Sequence, residues 1–144
     1  MKKENRPSKK DLKQSGAVDS QRLAVDLHLE AGTGKRRSRK ALFAAEEFLN
    51  TQIWYNRHQN LRISIEAGDC TIVDEEPEYP LPAGAKQTID PEIWKSAKKA
   101  ARKAEKRYGI ENLGPWSDFE WGMINGKLSA IRWALGEEWD WLDT

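Results

Sequence analysis

The sequence predicts an α+β fold, a small β-α-β-β unit followed by two C-terminal helices, with a basic N-terminal arm outside the domain. Three observations carry this expectation. Residues 22–30 and 61–66 alternate apolar and polar side chains with period two, the pattern of half-buried strands. Three longer segments repeat their apolar residues at spacings of three and four, the pattern of amphipathic helices. Residues 1–20 hold too few apolar side chains to bury a core and are expected to be a disordered arm. The chain has 144 residues, a single-domain length, so residues 21–144 are read as one domain.

Each element follows in order. Leu23, Val25, Leu27 and Leu29 form the apolar face of the first predicted strand. The glycines of AGTGKRR (residues 31–37) end it, and Ser38 sits where a helix N-cap belongs. Leu42, Ala45, Leu49 and Ile53 then define a helix to about Asn56. LRISIE (61–66) and DCTIVD (69–74) read as a hairpin turning at Ala67 and Gly68. Pro77, Pro80, Pro82 and Gly84 mark residues 75–89 as a long loop.

Asp90 and Pro91 predict an N-cap and first helical turn, and Gly109 a stop after Tyr108. Ile93, Ala97, Ala100, Ala104 and Tyr108 are its expected apolar side, with Trp94 and Ala101 beside it. Ser117 and Glu120 form a capping box for the last helix, with Trp116 and Trp121 as a hydrophobic staple. Trp121, Ile124, Leu128, Ile131 and Leu135 supply its core stripe, and Gly136 its stop. Gly122, Gly126 and Ala130 line a neighbouring stripe where another backbone is expected to pack closely, since a mid-helix glycine costs about 1 kcal/mol relative to alanine. The first and last helices are expected to cover one face of a three-stranded sheet.

Charge is distributed unevenly. The formal net charge is +1, yet residues 1–40 carry 12 basic and 5 acidic side chains and residues 41–144 carry 12 and 18. A uniformly basic, histone-like protein is excluded. No run of 18 apolar residues exists, so no membrane span is expected. Cys70 is the only cysteine, which rules out an internal disulfide and a cysteine-based zinc site. A lone cysteine, and no apolar stretch behind the basic N-terminus, point to a cytoplasmic protein.

The strongest chemical feature is GTGKRRSRK, residues 32–40. Lys35, Arg36, Arg37, Arg39 and Lys40 stand at a predicted helix N-terminus, where free amides and the helix dipole favour an anion. The spacing is not that of a P-loop, so nucleotide hydrolysis is not indicated. A phosphate-backbone contact to RNA or DNA is expected, against a solvated basic turn with no ligand. Lys95, Lys98, Lys99, Arg102, Lys103 and Lys106 form a second basic stripe, which either contacts an anionic partner or faces the acidic residues of 110–144. Six of the seven tryptophans lie in residues 94–141. Trp121 and Trp133 are expected in the core. Trp139 and Trp141, set among acids in EEWDWLDT, are expected at a protein-binding edge.

Catalytic signals are sparse. Asp26 and His28 share a face of the first predicted strand, a carboxylate near an imidazole. VDLHLE, a helix and then LRISIE together resemble the opening of Smr-type nuclease domains. The resemblance covers about 45 residues. That family's HGKG turn would fall at residues 66–69, which read EAGD, so the nuclease assignment is not made. An exposed strand face is the expected role of Asp26 and His28. His58 is placed near a helix end, where a cationic ring suits the dipole. Cys70 is expected in the core. Neither a cofactor nor a metal is expected. The sequence thus favours a small binding protein over an enzyme. Its expected partner is RNA, DNA or a ribonucleoprotein, reached through the arm and residues 35–40. The alternative is a protein-interaction or self-associating module using Trp139 and Trp141.

Overall fold

The computed structural model describes residues 32, 34–74 and 80–141. The predicted strand at 22–30, with Asp26 and His28, and the N-terminal arm lie outside these residues. In chain order the elements are α1 (Arg39–Ala67), β1 (Cys70–Ile72), β2 (Gln87–Ile89), α2 (Pro91–Tyr108), a 3-10 turn (Ile110–Asn112) and α3 (Asp118–Ala134). Helix and sheet are mixed, but the β-α-β-β order is not found among the described residues.

The largest correction concerns α1. It begins as expected, with Ser38 Oγ accepting from the Ala41 amide at 3.1 Å. It then runs 29 residues, about 43 Å, straight through the segment expected to be a strand. No glycine or proline stands between Ser38 and Gly68, so extending an existing helix costs less than starting a hairpin. Leu61 and Ile65 are one turn apart and both turn inward, while Ile63 between them is 62% exposed. Gly68 is not a hairpin turn. It caps the helix in the left-handed region, φ 81°, with its amide donating to the carbonyls of Ser64 and Ile65.

The described sheet is a pair of three-residue strands, and it is parallel: Cys70 lies beside Gln87, Thr71 beside Thr88, Ile72 beside Ile89. Gln87–Ile89 thus leaves the predicted loop to become a strand. The described helices therefore do not cover a three-stranded sheet. Cys70 is buried, as expected of a core position.

α2 matches its predicted bounds. Asp90 Oδ1 accepts from the Glu92 and Ile93 amides at 2.8 and 3.2 Å. Its buried stripe is rotated from the expected one. Trp94, Ala101, Ala104 and Tyr108 are buried, whereas Ile93 and Ala100 are exposed. Trp94 and Tyr108 are the largest apolar surfaces available, and burying both sets the rotation. α3 opens on the expected capping box: Ser117 N donates to Glu120 Oε2 at 2.9 Å, and Glu120 N to Ser117 Oγ at 3.3 Å.

α1 is the shared scaffold of two small cores. Tyr55 joins Ala101, Ala104, Tyr108 and Leu113, with Phe48 against them. Leu49 and Ile53 join Ile124 and Leu128, with Trp116, Trp121 and Ile131 against them. Buried Gln52 donates to the Asn112 carbonyl at 2.9 Å, tying the 3-10 turn to α1. Arg132 grips α1 from α3, through Glu46 at 3.3 Å and Asn50 at 3.0 Å. Trp133, expected in the core, is 56% exposed, because α3 turns its Ile124–Leu128 side to α1. Gly122 and Gly126 do not meet another backbone: a Cβ at either finds no atom within 4 Å.

Candidate nucleic-acid interface

α1 and α2 lie antiparallel. At one end Arg107 Nη1 meets Glu47 Oε1 at 2.6 Å, and at the other Trp94 stacks on His58 with centroids 5.1 Å apart. The C-terminus of α2 therefore points toward the N-terminus of α1, where Lys35, Arg36, Arg37, Arg39 and Lys40 are all exposed. From Glu47 back to Lys40 is about 10 Å along the helix.

Burial of Trp94, Ala101, Ala104 and Tyr108 leaves the other side of α2 to its cations. Lys95, Lys98, Lys99, Arg102, Lys103, Lys106 and Arg107 are all exposed. Among the described residues, the ion pairs are Arg62–Glu66, Arg107–Glu47 and Arg132–Glu46, so none joins this stripe to the acids of 110–141. Among the described residues, the basic helix thus makes no ion pair with the acidic C-terminal segment. The reason is geometric. α3 packs on α1, and Glu137, Glu138 and Asp140 line a pocket with Asn125, Ser129 and Arg132 of α3.

Aromatic rings accompany the charges. Arg39 holds its guanidinium 5.4 Å from the Phe43 ring centroid, and Phe43 is 46% exposed. Arg39, Phe43, Glu47 and Trp54 fall on one strip of α1 by helical spacing. Trp54 borders a shallow groove of about 600 Å³ between the helices, shared with Thr51, Ala100, Lys103, Lys106 and Arg107. The side of α2 away from α1 thus carries six exposed cations besides Arg107, Trp54 borders them at Lys103 and Lys106, and the basic residues 35–40 with Phe43 lie at the end of α1 toward which α2 points. Sequence reasoning missed Phe43 and Trp54. Neither belongs to the Leu42, Ala45, Leu49 and Ile53 stripe, and only the position of α2 shows that Trp54 borders the basic stripe.

Behind this groove sits His58, expected at a helix end but found well inside α1. It is buried between the Trp54 and Trp94 rings, at 5.2 and 5.1 Å. Burial, then the positive charge of Arg62, hold its pKa below the usual imidazole value, with Glu105 opposing. The ring is therefore a neutral part of the stack and not the expected cation. It supports Trp54 from below.

The C-terminal segment, which lies against Arg132 at the Glu46 end of α1, is chemically different. Trp139 and Trp141 are exposed beside Glu137, Glu138 and Asp140, and Trp139 meets Trp133 edge-on at 5.3 Å. Repulsion from these acids makes that segment a poor surface for phosphates. Among the described residues no three His, Cys, Asp or Glu side chains gather as a metal site, and no helix is long and apolar enough to cross a membrane. Compared with protein-family models, curated proteins and solved structures, the chain matches none.

Proposed function

We propose that this protein binds single-stranded nucleic acid along the basic α1–α2 face, with Lys35, Arg36, Arg37, Arg39 and Lys40 at one end of the path. The observation that carries the reading is the basic stripe of α2, exposed and, among the described residues, joined by no ion pair to the acids of 110–141. Lysines and arginines along about 18 Å of α2 would follow a phosphate backbone, releasing counterions as they bind. Phe43 and Trp54 would supply π-faces on which unpaired bases stack without sequence preference. This combination suits a strand whose bases are splayed outward better than a duplex, whose bases are hidden.

The test is fluorescence anisotropy with single-stranded RNA and DNA oligonucleotides across a salt series. The logarithm of affinity should fall linearly with the logarithm of salt concentration. Replacing Lys99, Lys103 and Lys106 together by alanine should flatten the slope by about 0.7 for each phosphate no longer neutralised, as should replacing Arg36, Arg37 and Arg39. Trp54→Ala should weaken binding by about 1–3 kcal/mol without changing the slope. A slope unmoved by both triple replacements sinks the proposal.

A further inference from the structure

A second cleft between α1 and α2 shares no residue with the groove at Trp54. Its volume is about 520 Å³, within the range of small-ligand sites. His58, 5% exposed, lines it. Trp54 and Trp94 stack on the imidazole at interplanar angles of 15° and 28° and take up its two faces. The edge of the ring, which carries the nitrogens, is therefore what His58 presents to the cleft. Among the described residues neither nitrogen has a hydrogen-bond partner. A buried polar group without a partner marks a place where a ligand can supply one.

We propose that this cleft binds a phosphate monoester, and that on a nucleic-acid strand it takes the terminal phosphate. Three cations line it. Arg62 stands one turn beyond His58 on α1, and Lys98 and Arg102 stand one and two turns beyond Trp94 on α2. Helix side chains lean back toward their own N-terminus. Arg62 therefore leans toward His58, and Lys98 and Arg102 lean toward Trp94, so all three lean toward the stack. Lys98 Nζ already lies 5.9 Å from the Trp94 ring centroid. Among the described residues Lys98 and Arg102 have no carboxylate partner. The two carboxylates of the cleft do have partners: Glu66 lies 3.9 Å from Arg62, and Glu105 accepts from the Tyr55 hydroxyl at 2.6 Å. Three cations against two carboxylates leave the cleft positive.

The donor set selects the ligand. A monoester carries about two negative charges at neutral pH and has three terminal oxygens, which guanidinium forks, an ammonium and a neutral imidazole N–H can share. An internal phosphodiester has a single charge and a chain running on from both sides. It suits the open stripe of α2 better than a cleft with an inner wall. The cleft also sits at the end of the helix pair opposite residues 35–40, since His58 and Trp94 mark one end and Glu47 and Arg107 the other. A strand that follows the basic path from residues 35–40 reaches it last. The strand-end part of the inference rests on the nucleic-acid reading, and the monoester site does not.

Fluorescence anisotropy with the full chain compares one single-stranded oligonucleotide carrying a 5′-phosphate, a 3′-phosphate, or hydroxyls at both ends. One of the phosphate-ended strands should bind about tenfold tighter than the hydroxyl-ended one. Arg62→Gln, and separately His58→Phe, which keeps the aromatic stack, should bring that ratio to about one. In nuclear magnetic resonance at about pH 7, adenosine 5′-monophosphate should shift the His58 ring signals and adenosine should not. A strand preference without a shift from the monophosphate assigns the cleft to strand ends. A shift without a strand preference keeps it as a site for the free monoester, and if no strand binds at all, the nucleic-acid reading falls while the site stands. Strands that bind equally with and without phosphate, together with His58 signals that the monophosphate leaves unmoved, overturn the proposal. So does a preference that Arg62→Gln and His58→Phe both leave intact.

Discussion

Tyr55 and Tyr108 lie in one buried cluster, 1% and 2% exposed, yet removing the same oxygen from each should have different results. The Tyr55 hydroxyl donates to Glu105 Oε1 at 2.6 Å, a short bond to a charged acceptor. The Tyr108 hydroxyl is buried with no partner of good geometry. Thr51 lends it only a weak contact, since the Thr51 hydroxyl is committed to the Glu47 carbonyl at 2.8 Å. Hydrogen bonds to charged groups contribute about 1.5–3 kcal/mol, and Glu105 is half-buried, so Tyr55→Phe should cost about 2 kcal/mol. Tyr108→Phe deletes an unsatisfied polar atom and keeps the ring under Phe48 and Arg107, so it should be neutral within about 0.5 kcal/mol or stabilising. The two variants should differ in melting temperature by about 8 °C at about 4 °C per kcal/mol. Guanidinium unfolding followed by tryptophan fluorescence measures both, with unchanged denaturant slopes confirming that the unfolded state is the same. Equal losses in the two variants would refute the reasoning, because the hydrogen bond at Tyr55 would then add nothing.

His58 has a folded-state pKa below its unfolded value, so the unfolded chain takes the proton first as pH falls. Its contribution to stability is full above about pH 6.5 and is lost as pH drops below that toward the folded value. Melting temperature should fall from about pH 7 to about pH 5 in the native chain and fall less in His58→Phe, which keeps the aromatic stack. Ser117→Ala breaks the capping box of α3 and should cost about 1 kcal/mol in chemical denaturation. Gly68→Ala should cost about 1–2 kcal/mol for its left-handed backbone, where a Cβ meets only Lys86 Nζ at 3.9 Å. Gly109→Ala should cost more, because its φ of 79° with ψ of 134° lies outside the left-handed helical region and is open to little besides glycine. The two melting temperatures should fall in that order.

What was legible in the sequence was local. Ser38, Asp90 with Pro91, and Ser117 with Glu120 each cap a helix through atoms two or three residues away, so their signatures need no knowledge of the fold. LRISIE misled because Leu61 and Ile65 satisfy a strand's period and a helix's i, i+4 spacing together. Only the unbroken helix upstream decides between them. β2 was invisible because three residues after a proline-rich stretch carry no pattern, and their partner lies 17 positions earlier. The rotation of α2 was ambiguous because alanines occur on several of its sides, and Trp94 outweighs Ile93 only once His58 is there to receive it. For the candidate interface, the cations of 35–40 and of α2 were each visible as runs. Their placement on one face was not, since it depends on Glu47 meeting Arg107 across 60 positions.

The ladder that sets Ile72 beside Ile89 has a practical meaning for protein engineering. Because the ladder is parallel, residues 73 and 86 leave it at opposite ends, about 14 Å apart. The entropy of closing that connection grows only slowly with its length. The chain should accept new termini there, or an inserted reporter domain whose own ends lie about as far apart.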